Sequence, residues 1–477
     1  MTRSRMLLTL TALVALAVAL PGRPDDAQEI EALRAEVKRL SQEVEALKKP
    51  AEAPKPAEPT PEAAKVAERL DLLEVKQEDA VVKGDIPGSF RIPGTDVSLH
   101  LYGFAELDWV HAFKGDNSDS DYSTFAPYLP LNGSPEAERT NRDYLTVRES
   151  RIGLDSGMPT RFGVLSAKFE GDFNNEPRTG GTSQYGDVRN VYTQQATNSY
   201  GFRVRHAYGQ FGGLLVGQTW STFMDVDNFP ETVDYNGPLG ATFIRQPQIR
   251  FAYPTLKAGT FTAAIENSSS YVLDETGTAM AVSASRLPDL VVRWDRGFDW
   301  GALSARAVTQ ELRVKGEGID AQKRGYGVAL SGSVKVRSGH DFACAGVTYG
   351  KGIGRYLNYI EGAVYDPDAN AIHTEEAIGA YAGYQLKVSD LLRFNFAYGI
   401  VHELNSDFTR EIRNLGLDSG RFGINAFVQQ AHAGFFVTPV KAVDIGLEGI
   451  WANRRTLAGE NGDDLRMNLL ARYYVNM

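Results

Sequence analysis

From Ser98 to Val475 the chain alternates, segment after segment, between an apolar and a polar residue. A strand sends successive side chains to opposite faces, so this pattern reads as repeated two-faced strands. LHLYGFAELDWV sets Leu99, Leu101, Ala105, Leu107 and Trp109 on one side. VLSAKFEGDF sets Leu165, Ala167, Phe169 and Phe173 against Lys168, Glu170 and Asp172. LVVRWD sets Val292 and Trp294 against Arg293, and LLRFNFAYGI sets Phe394, Phe396, Tyr398 and Ile400 against Arg393, Asn395 and Gly399. VDIGLEGIW and the final LRMNLLARYYV do the same, with Asp444, Glu448, Arg466, Asn468 and Arg472 on the polar side. A soluble sandwich would have to share one core over about 380 residues, far beyond an ordinary domain. A closed barrel with lipid outside and water inside needs no such core, and roughly 24 residues per strand and loop give about sixteen strands. The fold class expected is therefore an all-β transmembrane barrel of antiparallel strands over residues 90–477.

Three segments precede the barrel. Residues 1–22 read as a signal peptide: Arg3 and Arg5 precede LLTLTALVALAVAL, then Pro21 and Gly22. Residues 28–49 carry a heptad seam of Ile30, Leu33, Val37, Leu40, Val44 and Leu47, β-branched or Leu at alternating spacings of 3 and 4. This predicts an α-helical coiled coil that holds copies of the chain together; the pattern alone favours two strands. Residues 50–89 read as a Pro/Ala-rich linker with a short helix, extended where proline is dense.

The stretch from Phe202 to Tyr253 departs most from plain alternation. Its ends alternate, with Phe202, Val204, His206 and Tyr208 opposite Arg203 and Arg205, and Ile249, Phe251 and Tyr253 opposite Arg250. Between them, residues 219–246 are rich in Gly, Pro, Asp and aromatics, with neither period. A loop this long inside an ordered fold is usually functional. We expect it to fold inward as a constriction, with Trp220, Asp225, Asp227, Glu231 and Asp234 opposing or bonding the arginines.

Parity places Arg203, Arg205, Arg250, Arg293, Arg393, Arg466 and Arg472 in the lumen, with Arg151 by its local register; Arg245 closes the loop. Arginine rings favour anions, and the guanidinium fork matches a carboxylate. Arg203 and Arg205 lie about 7 Å apart by the strand rise. The competing reading pairs these arginines with Glu106, Asp108, Glu170, Asp172, Asp444 and Glu448, which also fall inward. One strand breaks pattern: in TVRESRIGL, Arg148 and Ser150 fall on the apolar side, so a bulge or a subunit contact is expected. Polar segments 114–143, 365–376 and 458–464 read as outer loops. Asp116, Asp119 and Asp121 lack the turn glycine and terminal glutamate of a calcium loop.

Little points to catalysis. His206 and His432 sit in strands, on opposite faces by register. No nucleophile motif, metal-ligand spacing or phosphate loop appears, so no enzyme, cofactor or metal is expected. Cys344 excludes an internal disulfide and reads as a packed residue. The net charge of -10 argues against nucleic acid.

The order of these features resembles the DcaP-like family of outer-membrane porins. The match runs through IPGSFRIPGTDVSLHLYGF, ESRIG, RVRHAYGQFGGLLVGQTWSTFMD and RQPQIRFAYP, and is most specific from Gly212 to Arg250. The resemblance implies a sixteen-stranded trimeric barrel in the outer membrane, with the coiled coil in the periplasm and uptake of small anions, including dicarboxylic acids. Partners then expected are membrane lipid, small anionic solutes, two further copies of the chain, and a periplasmic or cell-wall contact through the coiled coil. Two other readings stay open: a general or cation-preferring porin with neutralised arginines, and a barrel that tethers the envelope. The chain ends Tyr473-Tyr474-Val475-Asn476-Met477, where outer-membrane barrels commonly end in an aromatic residue.

Overall fold

A computed structural model describes residues 38–39, 82–115, 124–175, 201–357, 360–414 and 423–476. The signal peptide, the Asp116–Asp121 segment and nearly all of the heptad seam and linker lie outside the described residues. The chain divides into two compact units. The smaller includes residues 82–101 and 156–159. Its Val82–Lys83 pairs with Phe90–Arg91, which pairs in turn with Ser98 and Leu99. Arg91 holds Asp85 at 2.8 Å, and the Ser98 hydroxyl accepts the Asp85 amide at 2.9 Å.

The larger unit, residues 102–155 and 160–476, holds the barrel wall. Sixteen antiparallel strands build the barrel. They are β1 (Ser98–Lys114), β2 (Arg142–Thr146 with Arg151–Thr160), β3 (Gly163–Asp172), β4 (Arg203–Phe211), β5 (Leu214–Trp220), β6 (Arg245–Thr255), β7 (Gly259–Glu266) and β8 (Asp289–Phe298). Then follow β9 (Gly301–Gly316), β10 (Ile319–Val336), β11 (Asp341–Lys351), β12 (Glu376–Lys387), β13 (Leu392–Leu404), β14 (Asn425–Val440), β15 (Val443–Thr456) and β16 (Asn461–Asn476). The last strand closes on the first, from Arg466↔Ala112 to Asn476↔Tyr102. Closure removes every unpaired edge, which lipid would not tolerate. Tight turns such as Phe211–Leu214 and Val440–Val443 join strands at one end, and most long connections lie at the other. That asymmetry orients outer-membrane barrels, short turns toward the periplasm. One short helix, α1 (Asp407–Asn414), sits in a long connection.

The expected faces hold along most strands. Leu107, Phe169, Val292, Phe396, Ile445 and Tyr473 are each more than a third exposed, as residues facing lipid must be. Their neighbours Glu106, Glu170, Asn395 and Asp444 are buried.

Three local readings change. The irregular TVRESRIGL is a break inside β2: residues 147–150 loop out, and the Ser150 hydroxyl accepts the Glu106 amide at 3.0 Å. Arg148 thereby leaves the lipid side and is fully buried, 3.4 Å from Asn174. The two histidines share a side. A register shift between Glu170 and Gly171 leaves Arg205 with no residue opposite it in the ladder, so Arg205 and His206 are both buried. Of the expected outer loops, Ala363–Asp366 and Ala371–Thr374 pair as a hairpin, and 461–464 already belong to β16. Asp464 is accordingly buried, 2.9 Å from Arg466.

Candidate functional site: the barrel lumen

The connection from β5 to β6, residues 221–244, runs along the inside of the wall. Its start is fixed by carboxylate and amide side chains: Glu266 accepts the Ser221 hydroxyl and the Thr222 amide, both at 2.6 Å, and the Thr222 hydroxyl donates to Gln248. Phe223 then enters a dry cluster and is fully buried. Asp225 meets Arg293 of β8 at 3.3 Å and accepts the Ser331 hydroxyl of β10. The Asn228 carbonyl accepts from Tyr381 of β12 at 2.7 Å. Glu231 takes both forks of Arg393 of β13, each at 2.8 Å, and the amides of Gln385 and Asn395. Glu448 of β15 accepts the Val233 and Asp234 amides at 3.0 and 3.1 Å. Tyr235 donates to Glu106 of β1 at 2.6 Å and accepts from Arg472 of β16. The segment thus touches β7 to β10, β12, β13, β15, β16 and β1 in turn.

The return leg lies against strands that carry glycine where it passes. A Cβ at Gly399 would sit 2.0 Å from the Leu239 carbonyl oxygen, and one at Gly383 2.3 Å from Pro230. Inward-facing glycine therefore makes room for this segment.

Other connections fold in beside it. Ala126, Leu129, Phe223, Leu239, Ile244, Ile353, Tyr356, Leu357 and Ile360 form one buried cluster with inward Ala264, Val291, Val308, Ala329, Ala377, Val401, Val428 and Ala452 of the wall. Apolar burial of this kind supplies roughly 1.5–3 kcal/mol per large side chain. Tyr356 donates to Asp289 at 2.7 Å, and Arg355 reaches Asp289 at 3.1 Å. On this side the barrel holds an apolar core of its own.

Among the described residues, the wall left uncovered by residues 221–244 is β2 to β4, flanked by the lower parts of β5 and β6. It carries Arg151, Lys168, Arg203, Arg205 and Arg250. Most of these cations are paired. Arg203 binds Asp172 at 2.7 Å; Arg205 binds Glu170 and Asp172 at 2.8 and 2.9 Å. Arg151 lies 3.6 Å from Glu170 and over the Phe104 ring, and Lys168 is 3.1 Å from Asp155. Across the barrel, Arg293 is held by Asp295 at 2.6 Å, Arg393 by Glu231 and Asp444, Arg466 by Asp464, and Arg472 by Glu106. Of the arginines singled out from the sequence, two differ; buried Arg306 and Arg454 also lack an ion pair among the described residues but are held by the Phe223 and Pro127 carbonyls. Arg250 makes no ion pair among the described residues. Arg245 also makes none there; its guanidinium lies 3.5 Å from the Trp220 ring centroid, and its Nε has no hydrogen-bond partner.

The loop carboxylates divide similarly. Asp225 and Asp234 are buried. Asp234 accepts the Thr124 amide at 2.7 Å and the Asn236 amide. Burial acts to raise the Asp225 carboxyl, but hydrogen bonds from Asn228 and Ser331 and the Arg293 charge outweigh it and hold it below the usual range. For Asp234 burial wins and the carboxyl is raised, opposed by the charge of His432. Asp227 alone of the four is open, its side chain 82% exposed and 3.9 Å from Arg293.

The DcaP outer membrane protein family matches residues 73–475. The chain belongs to that family. The crystal structure of the outer membrane channel DcaP of Acinetobacter baumannii superposes with a TM-score of 0.65 at 26% identity, over 80% of this chain and 97% of that one. Solved porins are alike more loosely. The Salmonella typhi OmpF complex with daunomycin gives 0.48 at 12% identity, over 80% and 98% of the two chains. The anion-selective porin from Comamonas acidovorans gives 0.45 at 13%, over 80% and 100%. No curated protein matches the chain. As a DcaP-family protein with this fold, it is an outer-membrane β-barrel of the porin type.

The sequence did not disclose the inward glycines or the apolar cluster. GAYAGYQ and FAYGI, small residues on the inward face where other strands carry charge, were the available signal.

Proposed function

We propose that this porin passes small hydrophilic solutes by passive diffusion and favours anions, dicarboxylates among them. The observation that carries the reading is the uneven use of charge. Most lumenal carboxylates are consumed by paired arginines, while Arg245 and Arg250 make no ion pair among the described residues. A free guanidinium in a narrow, partly dry passage attracts anions more strongly than it would in open water. Arg203, about a third exposed, adds a partly neutralised contact. The role of Arg151, Arg293 and Arg393 is then to hold the wall and the constricting segment in place, more than to touch solute. Asp227 opposes them as the one open loop carboxylate.

The test is reversal potential in a KCl gradient, for the parent and for Arg245→Gln/Arg250→Gln. Loss of chloride preference in the double variant, with conductance retained, supports the reading. Unchanged preference sinks it.

We further propose a homotrimer whose N-terminal heptads join three copies in the periplasm and reach a periplasmic or cell-wall partner. The heptad seam and the family resemblance support this. Removing residues 28–83 should leave conductance intact and alter only assembly or envelope attachment.

A further inference from the structure

The outward face of β9 to β12 changes character at one level. Along β10 the lipid side reads Val334, Leu330, Val328 and Tyr326, all exposed apolar or aromatic residues. The next outward positions toward the long-loop end are Arg324, Gln322 and Asp320. On β11 the same change runs from Val347 through Tyr349 to Lys351. Aromatic residues mark the membrane interface of such barrels, so Tyr326 and Tyr349 set the outer boundary of the hydrocarbon.

Just beyond that boundary, cations gather on one sector. Register sets Arg324 opposite Glu311, and Lys351 opposite Tyr326. Arg286 reaches Glu311 at 3.2 Å and Gln322 at 2.5 Å. Arg313 and Lys315 share Asp320 at 2.9 and 2.6 Å. Lys351 pairs with Glu376, which also accepts the Tyr349 hydroxyl. Five cations thus face three carboxylates, with the exposed Glu317 of the β9–β10 turn a fourth. Arg324 is exposed and makes no ion pair among the described residues. Elsewhere on the outer rim the outward cations described are scattered, such as Arg455 of β15.

We propose that this sector is a docking surface for the phosphorylated glycolipid of the outer leaflet. The apolar belt below it must abut the acyl chains of that leaflet. A lipid seated there brings its head-group phosphates to the level of Arg286, Arg324 and Lys351. Guanidinium presents a fork that fits phosphate oxygens in pairs, and lysine adds a point charge. The carboxylates hold the cations in position without cancelling them, leaving the sector with excess positive charge. Basic side chains at an anionic membrane surface each add to binding, and the effect weakens with salt.

The experiment uses full-length protein in neutral detergent, with bisphosphorylated lipid A as probe and its dephosphorylated form as control. Binding is read by native mass spectrometry and by the shift in thermal unfolding. Bisphosphorylated lipid should bind at least tenfold tighter than the control. Arg286→Gln/Arg324→Gln/Lys351→Gln should lose roughly 10- to 100-fold of that affinity, while Arg455→Gln keeps it. Equal affinity for the two lipids, or an unaffected triple variant, overturns the proposal. So does displacement of the lipid by millimolar inorganic phosphate, which would show a site for the free ion. Because all three replaced side chains lie outside the lumen, single-channel conductance of the triple variant should match the parent, which confirms a folded barrel.

Discussion

At the residue scale, the arginines read into the lumen divide into those held in ion pairs and two, Arg245 and Arg250, that make none among the described residues; the proposed function gives the second pair to the solute. Arg205 and Glu170 are both nearly buried and joined at 2.8 Å. Removing one member of such a pair strands the other charge and costs about 3–5 kcal/mol. Arg205→Ala is therefore expected to lower the denaturant midpoint of the barrel. Arg250→Ala, with no ion pair to break, should change stability by less than about 1 kcal/mol and shift ion preference instead. If Arg250→Ala destabilises the barrel as much as Arg205→Ala, the division between the two is wrong. Parity sorted the two faces of the regular strands but failed at Arg148, which the break in β2 turns inward. The partner of each arginine was not legible, because cross-strand register depends on bulges such as the one at Glu170 and Gly171, which no local pattern announces.

At the element scale, the segment 221–244 is held by a few carboxylates, and these are levers. Glu231→Ala removes the bidentate partner of Arg393 and with it the two hydrogen bonds that Gln385 and Asn395 donate. Conductance should rise and become noisier as the segment leaves the wall; an unchanged trace would count against its role as the constriction. Acid should act in the same direction through Asp225. Its folded carboxyl titrates below the ordinary value. Its contribution is therefore present above the unfolded value near 4 and is lost as pH falls through the lower folded value. Asp234 runs the other way, raised by burial, so its contribution is fully present below the unfolded value and fades as pH rises through the folded one. A loosening confined to pH below about 4, seen as excess current noise, is the signature of Asp225. The position and irregularity of this segment were readable as a loop of functional length. Its path was not, because the signal lay in small residues on strands β12 and β13, where a Cβ at Gly399 would meet Leu239 at 2.0 Å.

At the scale of the whole molecule, alternation over hundreds of residues sufficed for a sixteen-stranded barrel, since only closure satisfies the backbone of every strand in lipid. The apolar cluster inside the lumen could not be read that way. Its members come from connections far apart in sequence, among them Leu129, Phe223 and Tyr356, and period-two patterning says nothing about loops. Among the described residues, these connections pack away from β2 to β4, where Arg151, Lys168, Arg203 and Arg205 lie. Phe223→Ala should open the dry side at a cost of about 3–5 kcal/mol, read as lower thermal stability together with higher conductance. On the proposed function, free arginine charge gives this passage a preference for anions. Its most direct test is the reversal potential of single channels of the full-length protein in a planar bilayer under a KCl gradient. The expected result is the sign of chloride preference, with dicarboxylates reducing the current. A potassium preference would contradict it, showing the arginines to be neutralised and the acidic residues to set the field.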